Sequence, residues 1–346
     1  MENYWSKNEY SKYKLLLHNE KVDSIMSVLK REQLFDTIYP LSVDLQLTDF
    51  CNLKCEWCTD KNLHYNPSIM EYEIACKLID EFSEKGIGIT IEGGGEPTIH
   101  NRFEDIANYG HRHGASMGLI TNGTYDLSGV LNCFKWIRIS LDASTREEYI
   151  IEKKIDKFQV VMDNIKNYKS IRNVHDTYLG IGYVITNRNY KHIDNLVIQL
   201  DQLGIDYIYL RPVEEAEKLI PDKNKLYQLR QRLDEVTKGL RIKYKIIIDE
   251  RYEIANANLP CIAHSLTSII HANGDVICCE KRRHDIKILG NINEKSFYDI
   301  WTSKYRQEVT QFLLNPTGQV ECSVCRMTGF NHIFNNLNHV NTIDFI

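Results

Sequence analysis

The chain has 346 residues, of which 43% are hydrophobic and 26% charged, and its formal net charge at pH 7 is -5. The length leaves room for one large domain and a smaller one. The composition excludes a membrane protein, because no apolar run approaches the roughly 18 residues that span a bilayer, and the charge gives no general attraction to nucleic acid.

We expect no export signal in the N-terminal segment. Its first ten residues lack a positively charged start followed by an apolar stretch, which predicts a cytoplasmic protein. Apolar residues at helical spacing predict one or two amphipathic helices within residues 1–41. In a reducing compartment, the ten cysteines of the chain favour metal binding or catalysis over disulfides.

From residue 42 onward, short β-type runs alternate with longer helical ones. Apolar residues between the runs recur three and four positions apart, as at Ile74, Leu78 and Phe82. Six β/α repeats predict a parallel sheet, in which functional residues gather at the carboxyl ends of the strands. The predicted strands are residues 42–47, 88–92, 117–121, 136–141, 178–185 and 206–210.

The pattern changes after the sixth predicted strand. Residues 211–245 contain a predicted charged helix, and short strands, turns and clustered cysteines follow. Asn273-Gly274 between apolar flanks is a strong signal for a β-hairpin. We therefore predict three parts, which are an N-terminal extension at residues 1–41, a core at residues 42–245 and a C-terminal domain at residues 246–346.

Three cysteines, Cys51, Cys55 and Cys58, follow the first predicted strand. Three thiolates hold three irons of a cubane cluster and leave the fourth iron open to an exogenous ligand. The spacing Cys-x3-Cys-x2-Cys, with Trp57 before the last thiol, resembles the signature of the radical S-adenosylmethionine (radical SAM) enzymes.

Three further segments at strand ends resemble the same family. Glu92-Gly-Gly-Gly-Glu-Pro-Thr98 follows the second strand, Thr121-Asn-Gly-Thr124 the third, and Ser140-Leu-Asp142 lies at the fourth. In the family the glycine-rich segment receives the methionine amino group, and the polar pair contacts the ribose. The resemblance therefore implies a set of cofactor-binding residues, which are Trp57, Gly93, Gly94, Gly95, Glu96, Thr121, Asn122, Ser140 and Asp142.

The resemblance covers residues 42–213 and implies an α/β fold, a partial (β/α)6 TIM-type barrel. It implies a [4Fe-4S] cluster on Cys51, Cys55 and Cys58, with an open iron site that chelates S-adenosyl-L-methionine. In the family, one electron then cleaves this cofactor to a 5'-deoxyadenosyl radical, which abstracts hydrogen from a substrate C-H bond. A reducing partner such as flavodoxin or ferredoxin is implied as well.

A second set of cysteines lies near the C terminus and consists of Cys261, Cys279, Cys322 and Cys325. With Gly274 five residues before Cys279, it resembles the SPASM/twitch extension of radical SAM enzymes. The resemblance implies a small α+β domain with one auxiliary [4Fe-4S] cluster, because no cysteine follows the last of the four. Four thiolates saturate such a cluster, which favours electron transfer over ligation of substrate.

Several alternatives for individual residues stay open. Structural zinc suits the second cysteine set. A zinc site built from Cys55-x2-Cys58 and Cys322-x2-Cys325 is the alternative for the first motif, but it explains neither Cys51 nor the glycine and ribose segments. Cys278, beside Cys279, is a candidate to replace it as a ligand or to return a hydrogen atom to a substrate radical. Arg211 is a candidate to bind a substrate oxyanion or the cofactor carboxylate, with a surface or interstrand ion pair as the alternative.

The resulting hypothesis is a radical SAM enzyme that oxidises a small polar metabolite, such as a sugar, aminocyclitol or nucleoside derivative. The first alternative is modification of a ribosomally synthesised peptide by crosslinking, epimerisation or oxidation. The second is a non-catalytic iron-sulfur or zinc protein that relays electrons or scaffolds a partner. The expected partners are thus a small-molecule or peptide substrate and a reductant, with neither nucleic acid nor membrane.

Two cubane clusters predict an iron content that can be measured directly. After anaerobic reconstitution, the protein should bind about eight iron atoms per chain, because each cluster holds four. Iron analysis of the desalted protein checks this value. About four iron atoms would contradict the auxiliary cluster, and stoichiometric zinc would replace one cluster with a structural metal.

Overall fold

The computed structural model describes residues 14–29, 39–172, 177–213, 216–246, 260–279, 288–314 and 327–338. The chain divides into two units, the first built mainly on Leu45–Ile248 with His271–Asn273, and the second on Asn8–Asp44, Asp249–Ile270 and Gly274–Ile346. None of the helices in the described ranges combines the length and apolar composition needed to cross a membrane.

The secondary-structure elements are numbered in chain order. The strands are β1 (Ser42–Leu45), β2 (Gly88–Ile91), β3 (Met117–Thr121), β4 (Trp136–Ser140), β5 (Tyr178–Ile185), β6 (Tyr207–Pro212), β7 (Lys243–Ile246), β8 (Thr267–Ile270), β9 (Asp275–Ile277) and β10 (Gly290–Asn291). The helices are α1 (Asn19–Leu29), α2 (Tyr72–Glu84), α3 (Phe103–Arg112), α4 (Arg146–Lys153), α5 (Phe158–Ile171), α6 (Ile193–Gln202), α7 (Lys223–Val236), α8 (Phe297–Trp301), α9 (Lys304–Leu314) and α10 (Thr328–Asn338).

The first unit is built on a parallel sheet. Strands β2 to β7 lie side by side in chain order, and every neighbouring pair among them is parallel. Helix α3 connects β2 to β3, α4 and α5 connect β4 to β5, α6 connects β5 to β6, and α7 connects β6 to β7. Parallel strands need such crossovers, and helices make them in α/β proteins. The predicted α/β class is therefore confirmed.

Side chains of β4 alternate between two environments. Ile137 and Ile139 are fully buried. Ile139 points toward α5, because a Cβ added at Gly123 would lie 2.6 Å from Ile139 and 3.1 Å from Val161 on that helix. Successive side chains of a strand point to opposite faces. The partly exposed residues of β4 therefore line the face turned away from α5, here called the concave face, and they are Trp136, Arg138 and Ser140.

The strand predictions hold for all six runs, with ends that differ by at most two residues. The structure adds β7, which pairs in parallel with β6 in the order Tyr207 to Lys243 through Leu210 to Ile246. The sequence pattern predicted a charged helix within residues 211–245 and no strand in this region. A four-residue run with two lysines is typical of an edge strand, but it is too short for its periodicity to be recognised.

The second unit contains the antiparallel strands β8, β9 and β10. Strands β8 and β9 form the predicted hairpin, and Gly274 in its turn has a φ of +91°. Leu15 and Ile25 from the N-terminal part of the chain pack with Leu266 and Phe334 in one apolar core. Residues of the predicted N-terminal extension thus share a core with residues beyond 260, and the domain boundaries proposed from the sequence stay predictions.

Candidate functional site

The loop after β1 carries three free, partly buried thiols. Burial raises the pKa of Cys51 to about 11 and that of Cys58 to about 12, and the nearby Cys55 acts in the same direction on both. Three neighbouring thiols disfavour one another's negative charge. A metal centre that all three share would overcome this, because metal binding favours the thiolate form. The cysteine loop therefore fits the iron-sulfur cluster that its spacing predicts.

The glycine-rich segment after β2 packs directly against the start of the cysteine loop. The main-chain nitrogen of Gly95 donates to the oxygen of Thr48 (2.8 Å), and that of Glu96 donates to the oxygen of Phe50 (2.7 Å). A Cβ added at Gly95 would lie 1.8 Å from the Phe50 oxygen. Only glycine permits this approach, so the two segments form one hydrogen-bonded unit.

The two preceding glycines cover buried polar atoms. Gly93 and Gly94 have φ values of +70° and +61°, a conformation that glycine adopts without strain. Added Cβ atoms would lie 2.7 Å from Nε2 of Gln46 and 2.7 Å from Oδ1 of Asp49, respectively. Among the described residues, this Asp49 oxygen has no hydrogen-bond partner. An unsatisfied carboxylate oxygen below a glycine-rich segment fits a ligand that carries an amino group.

Glu96 ties the glycine-rich segment to the end of β3. Its Oε1 accepts hydrogen bonds from the main chain and hydroxyl of Thr98 and from the hydroxyl of Thr121 (2.6 Å), and its Oε2 accepts from the main-chain nitrogen of Asn122 (2.7 Å). Asn122 in turn donates to the side chain of Asn52 in the cysteine loop (2.7 Å). The structure thus brings these predicted residues together, while their contact with the cofactor stays a prediction.

Asp142 forms a buried ion pair with Lys153 at the end of α4. Its side chain also accepts a hydrogen bond from the main-chain nitrogen of Val184 (2.5 Å). Ser140, in contrast, is partly exposed on the concave face. Of the polar pair predicted to contact the ribose, Ser140 therefore lies on the accessible face, and the contact of Asp142 stays a prediction.

No pattern in the sequence pointed to Lys153 as a site residue. Burial by itself lowers the pKa of this lysine, but the charges of Asp142 and Cys55 raise it overall, so that Lys153 is charged. The same cation opposes the burial that raises the pKa of the Cys55 thiol. A charged lysine beside Cys55 stabilises the thiolate that an iron ligand requires. A lysine in the last turn of a helix is usually exposed, so no local signal identifies it.

A buried carboxylate fastens the second half of the cysteine loop. Glu152 is fully buried and accepts hydrogen bonds from Nε1 of Trp57 (2.9 Å), from the hydroxyl of Thr186 (2.8 Å) and from two nitrogens of Arg188 (3.0 and 3.1 Å). Arg188 also donates to Glu56 (3.1 Å). Trp57 is thus held by α4, and its predicted contact with the cofactor stays a prediction.

The concave face carries a second residue that sequence analysis missed. The guanidinium of Arg138 lies 5.8 Å from the ring centre of Trp136 and 5.1 Å from that of Tyr209. Gly182 on β5 lies next to it, since an added Cβ would be in ordinary contact with the Arg138 side chain at 3.4 Å. No ion pair in the described ranges includes Arg138. The alternation of Ile137 and Ile139 with polar residues was the signal that could have placed it on the accessible face.

The predicted candidate Arg211 is half-buried near the end of β6. It lies two residues after Tyr209, on the same alternating set of partly exposed positions. Because side chains two residues apart share a face, Arg211 and Tyr209 point to the same side of the sheet.

The second cysteine set is described in part. Cys261 and Cys279 are partly buried free thiols, and Cys278 is a buried one at the end of β9. Cys322 and Cys325 lie outside the described residues. The four-cysteine ligand set and the alternative roles of Cys278 therefore stay predictions.

Two family models match the chain. Residues 45–197 match the Radical SAM superfamily, and residues 261–326 match SPASM, an iron-sulfur cluster-binding domain. The first range contains the three-cysteine loop and the glycine-rich segment. The second contains the four cysteines predicted to hold the auxiliary cluster.

Two curated relatives match most of the chain. The tungsten-containing aldehyde ferredoxin oxidoreductase cofactor-modifying protein of Pyrococcus furiosus is 26% identical over 297 residues, which cover 75% of this chain and 80% of the relative. The mycofactocin maturase MftC of Mycolicibacterium smegmatis is 23% identical over 304 residues, which cover 83% of this chain and 75% of the relative.

Among solved structures, SuiB of Streptococcus suis shares the fold. Its crystal structure with bound S-adenosylmethionine aligns with a TM-score of 0.65 and 16% identity, over 79% of this chain and 68% of SuiB. Its complex with the precursor peptide SuiA aligns with a TM-score of 0.67 and 15% identity, over 93% of this chain and 78% of SuiB. This likeness confirms the predicted fold class, an α/β core with a mostly parallel sheet.

The close approach at Gly95 predicts a large effect of one methyl group. Gly95→Ala should destabilise the apoprotein by about 1–3 kcal/mol or more, because a main-chain oxygen cannot move aside as a flexible side chain can. Denaturant unfolding measures this change. Gly129→Ala is the control, since its Cβ would have Glu104 Oε1 as neighbour at 3.6 Å; equal unfolding midpoints for the two variants would contradict the prediction.

The Glu152 network predicts that Arg188 stabilises the cysteine loop. Arg188→Met should destabilise the protein by about 1–3 kcal/mol, because it leaves a buried carboxylate without its cationic partner. Iron retention after reconstitution should fall as well. Arg146→Met serves as the control, because the exposed Arg146–Asp156 pair should contribute little. If both variants unfold at the same denaturant concentration as the unaltered protein, the prediction that Arg188 compensates the buried charge of Glu152 is wrong.

Proposed function

The chain belongs to the radical SAM superfamily and carries an SPASM iron-sulfur domain, and we propose that it modifies a peptide. The protein uses S-adenosylmethionine and a [4Fe-4S] cluster, and its SPASM domain binds iron and sulfur as well. When bound, the first cluster supplies the electron that cleaves S-adenosylmethionine and so starts hydrogen abstraction. The protein's own task is to position one substrate C-H bond and exclude water.

The observation that carries the proposal is the similarity to MftC, which extends over 83% of this chain. A maturase converts a precursor into its mature form. The fold shared with SuiB, a protein crystallised with a precursor peptide, supports the same substrate class. These two likenesses favour the peptide alternative over the small metabolite that sequence analysis placed first.

The concave face supplies groups suited to a peptide. The rings of Trp136 and Tyr209 lie near the Arg138 guanidinium and restrict its orientation. Arg138 has no ion-pair partner among the described residues. A planar guanidinium binds carboxylates and carbonyl oxygens through paired hydrogen bonds. We assign to Arg138 the binding of a substrate carbonyl or carboxylate, and Arg211 is retained as a second candidate for this role.

Modification of a small molecule is the second candidate function. The relative from Pyrococcus furiosus is a cofactor-modifying protein that matches 75% of this chain, which favours a substrate other than a peptide. The single auxiliary set of four cysteines also fits a net oxidation, since a saturated cluster near a substrate radical accepts an electron.

Removal of the first thiols should abolish cofactor cleavage. The triple variant Cys51→Ala, Cys55→Ala and Cys58→Ala should form no 5'-deoxyadenosine after reduction, while it retains the iron of the SPASM domain. Chromatography of the acid-quenched reaction measures the product. Cys76→Ala on α2 is the matched control and should retain cleavage. Product formation by the triple variant at the unaltered rate would refute the assigned cluster site.

The substrate class is tested by two sets of compounds. Short peptides encoded near the gene and a panel of nucleotides and sugars are each incubated with reduced protein and S-adenosylmethionine. Our proposal expects a peptide to accelerate 5'-deoxyadenosine formation and to change in mass. If a small metabolite is oxidised and every peptide keeps its mass, the second candidate function replaces the first.

A further inference from the structure

Arg306 on α9 is a buried guanidinium with neutral neighbours. It is 3% exposed. It donates hydrogen bonds to the hydroxyl of Thr310 and to the main-chain oxygen of His264 (3.2 Å), and its guanidinium carbon lies 4.4 Å from the ring centre of Trp301. No ion pair in the described parts of the chain includes Arg306. A buried charge is costly unless an anion compensates it, so an anion belongs beside Arg306.

The same guanidinium has an unused donor. Its Nε is buried and has no hydrogen-bond acceptor in the described ranges. Burial lowers the pKa of Arg306, whereas the sulfur atoms of Cys278 and Cys261 oppose this shift, which places both within electrostatic reach of the charge. Native proteins rarely leave such a donor unsatisfied.

Cys261 is fixed relative to Arg306 by two further contacts. The main-chain nitrogen of Cys261 donates to the oxygen of Leu313, on the same helix as Arg306 (2.9 Å). Nδ1 of His264 donates to the main-chain oxygen of Cys261 (2.5 Å). The main-chain oxygen of His264 also accepts the hydrogen bond from Arg306. Hydrogen bonds therefore connect helix α9 to both His264 and Cys261.

We propose that Arg306 is a positioning residue for the auxiliary iron-sulfur cluster, whose negative charge it compensates and to whose sulfur atoms its Nε–H donates. A cubane held by thiolates is an anion, and reduction adds a further negative charge. Nearby positive charge and hydrogen bonds to sulfur raise the reduction potential. Arg306 therefore makes the auxiliary cluster a better electron acceptor. The inference rests on the SPASM domain's iron-sulfur binding and is independent of the proposed peptide substrate.

The test isolates the auxiliary cluster. In the full chain carrying Cys51→Ala, Cys55→Ala and Cys58→Ala, the midpoint potential of the remaining cluster is measured by titration followed by electron paramagnetic resonance. Arg306→Met should make reduction at least tenfold less favourable, which corresponds to about 59 mV for one electron. Arg306→Lys, which keeps the charge, should recover most of this shift. Lys304→Met removes an exposed charge from the same helix and should leave the potential unchanged.

Thermal unfolding of the apoprotein separates this role from a merely structural one. The proposal expects Arg306→Met apoprotein to unfold at the same temperature as the parent chain or higher, because the variant removes an uncompensated buried cation. Failure to bind the auxiliary cluster with an unchanged apoprotein midpoint would support the proposal. An apoprotein that unfolds at a lower temperature, or equal potentials in Arg306→Met and Lys304→Met, would overturn it.

Discussion

Two main-chain hydrogen bonds join the glycine-rich segment to the cysteine loop, and the geometry of the candidate site depends on them. They require Gly95 to lie so close to the main chain of Phe50 that no side chain fits between. Glu96 then continues the connection to β3 through Thr121 and Asn122. The carboxyl ends of β1, β2 and β3 are thus held in register before any cofactor binds.

The charged groups of the described sites have two different roles. Paired buried charges hold loops: Glu152 fastens the cysteine loop through Arg188, and the Lys153–Asp142 pair joins α4 to the end of β4. Arg138 and Arg306 have no acid partner among the described residues, and we propose a ligand for each. Arg138 on the concave face fits a substrate oxygen, and Arg306 in the second unit fits an anionic cluster.

The two iron-sulfur regions therefore differ in how their charge is balanced. Lys153 lies near Cys55 but already has Asp142 as its partner, so it adds little net charge to the first cluster site. Arg306 has no such partner among the described residues and brings an uncompensated positive charge to the second. Since positive charge raises the reduction potential of a cluster, this difference favours reduction of the auxiliary cluster.

Spacing along the chain was enough to recognise the family, the parallel strands and the cysteine sets, because thiol spacing, glycine runs and residue periodicity are local properties. Local patterns did not identify Lys153 or Arg306, since a basic residue in a helix looks the same whether it is exposed or buried. Nor did they reveal β7, whose pairing with β6 is a contact between distant segments. Partners of charged groups come from elements far apart in sequence, and so only folding establishes which charges are compensated and which remain available to a ligand.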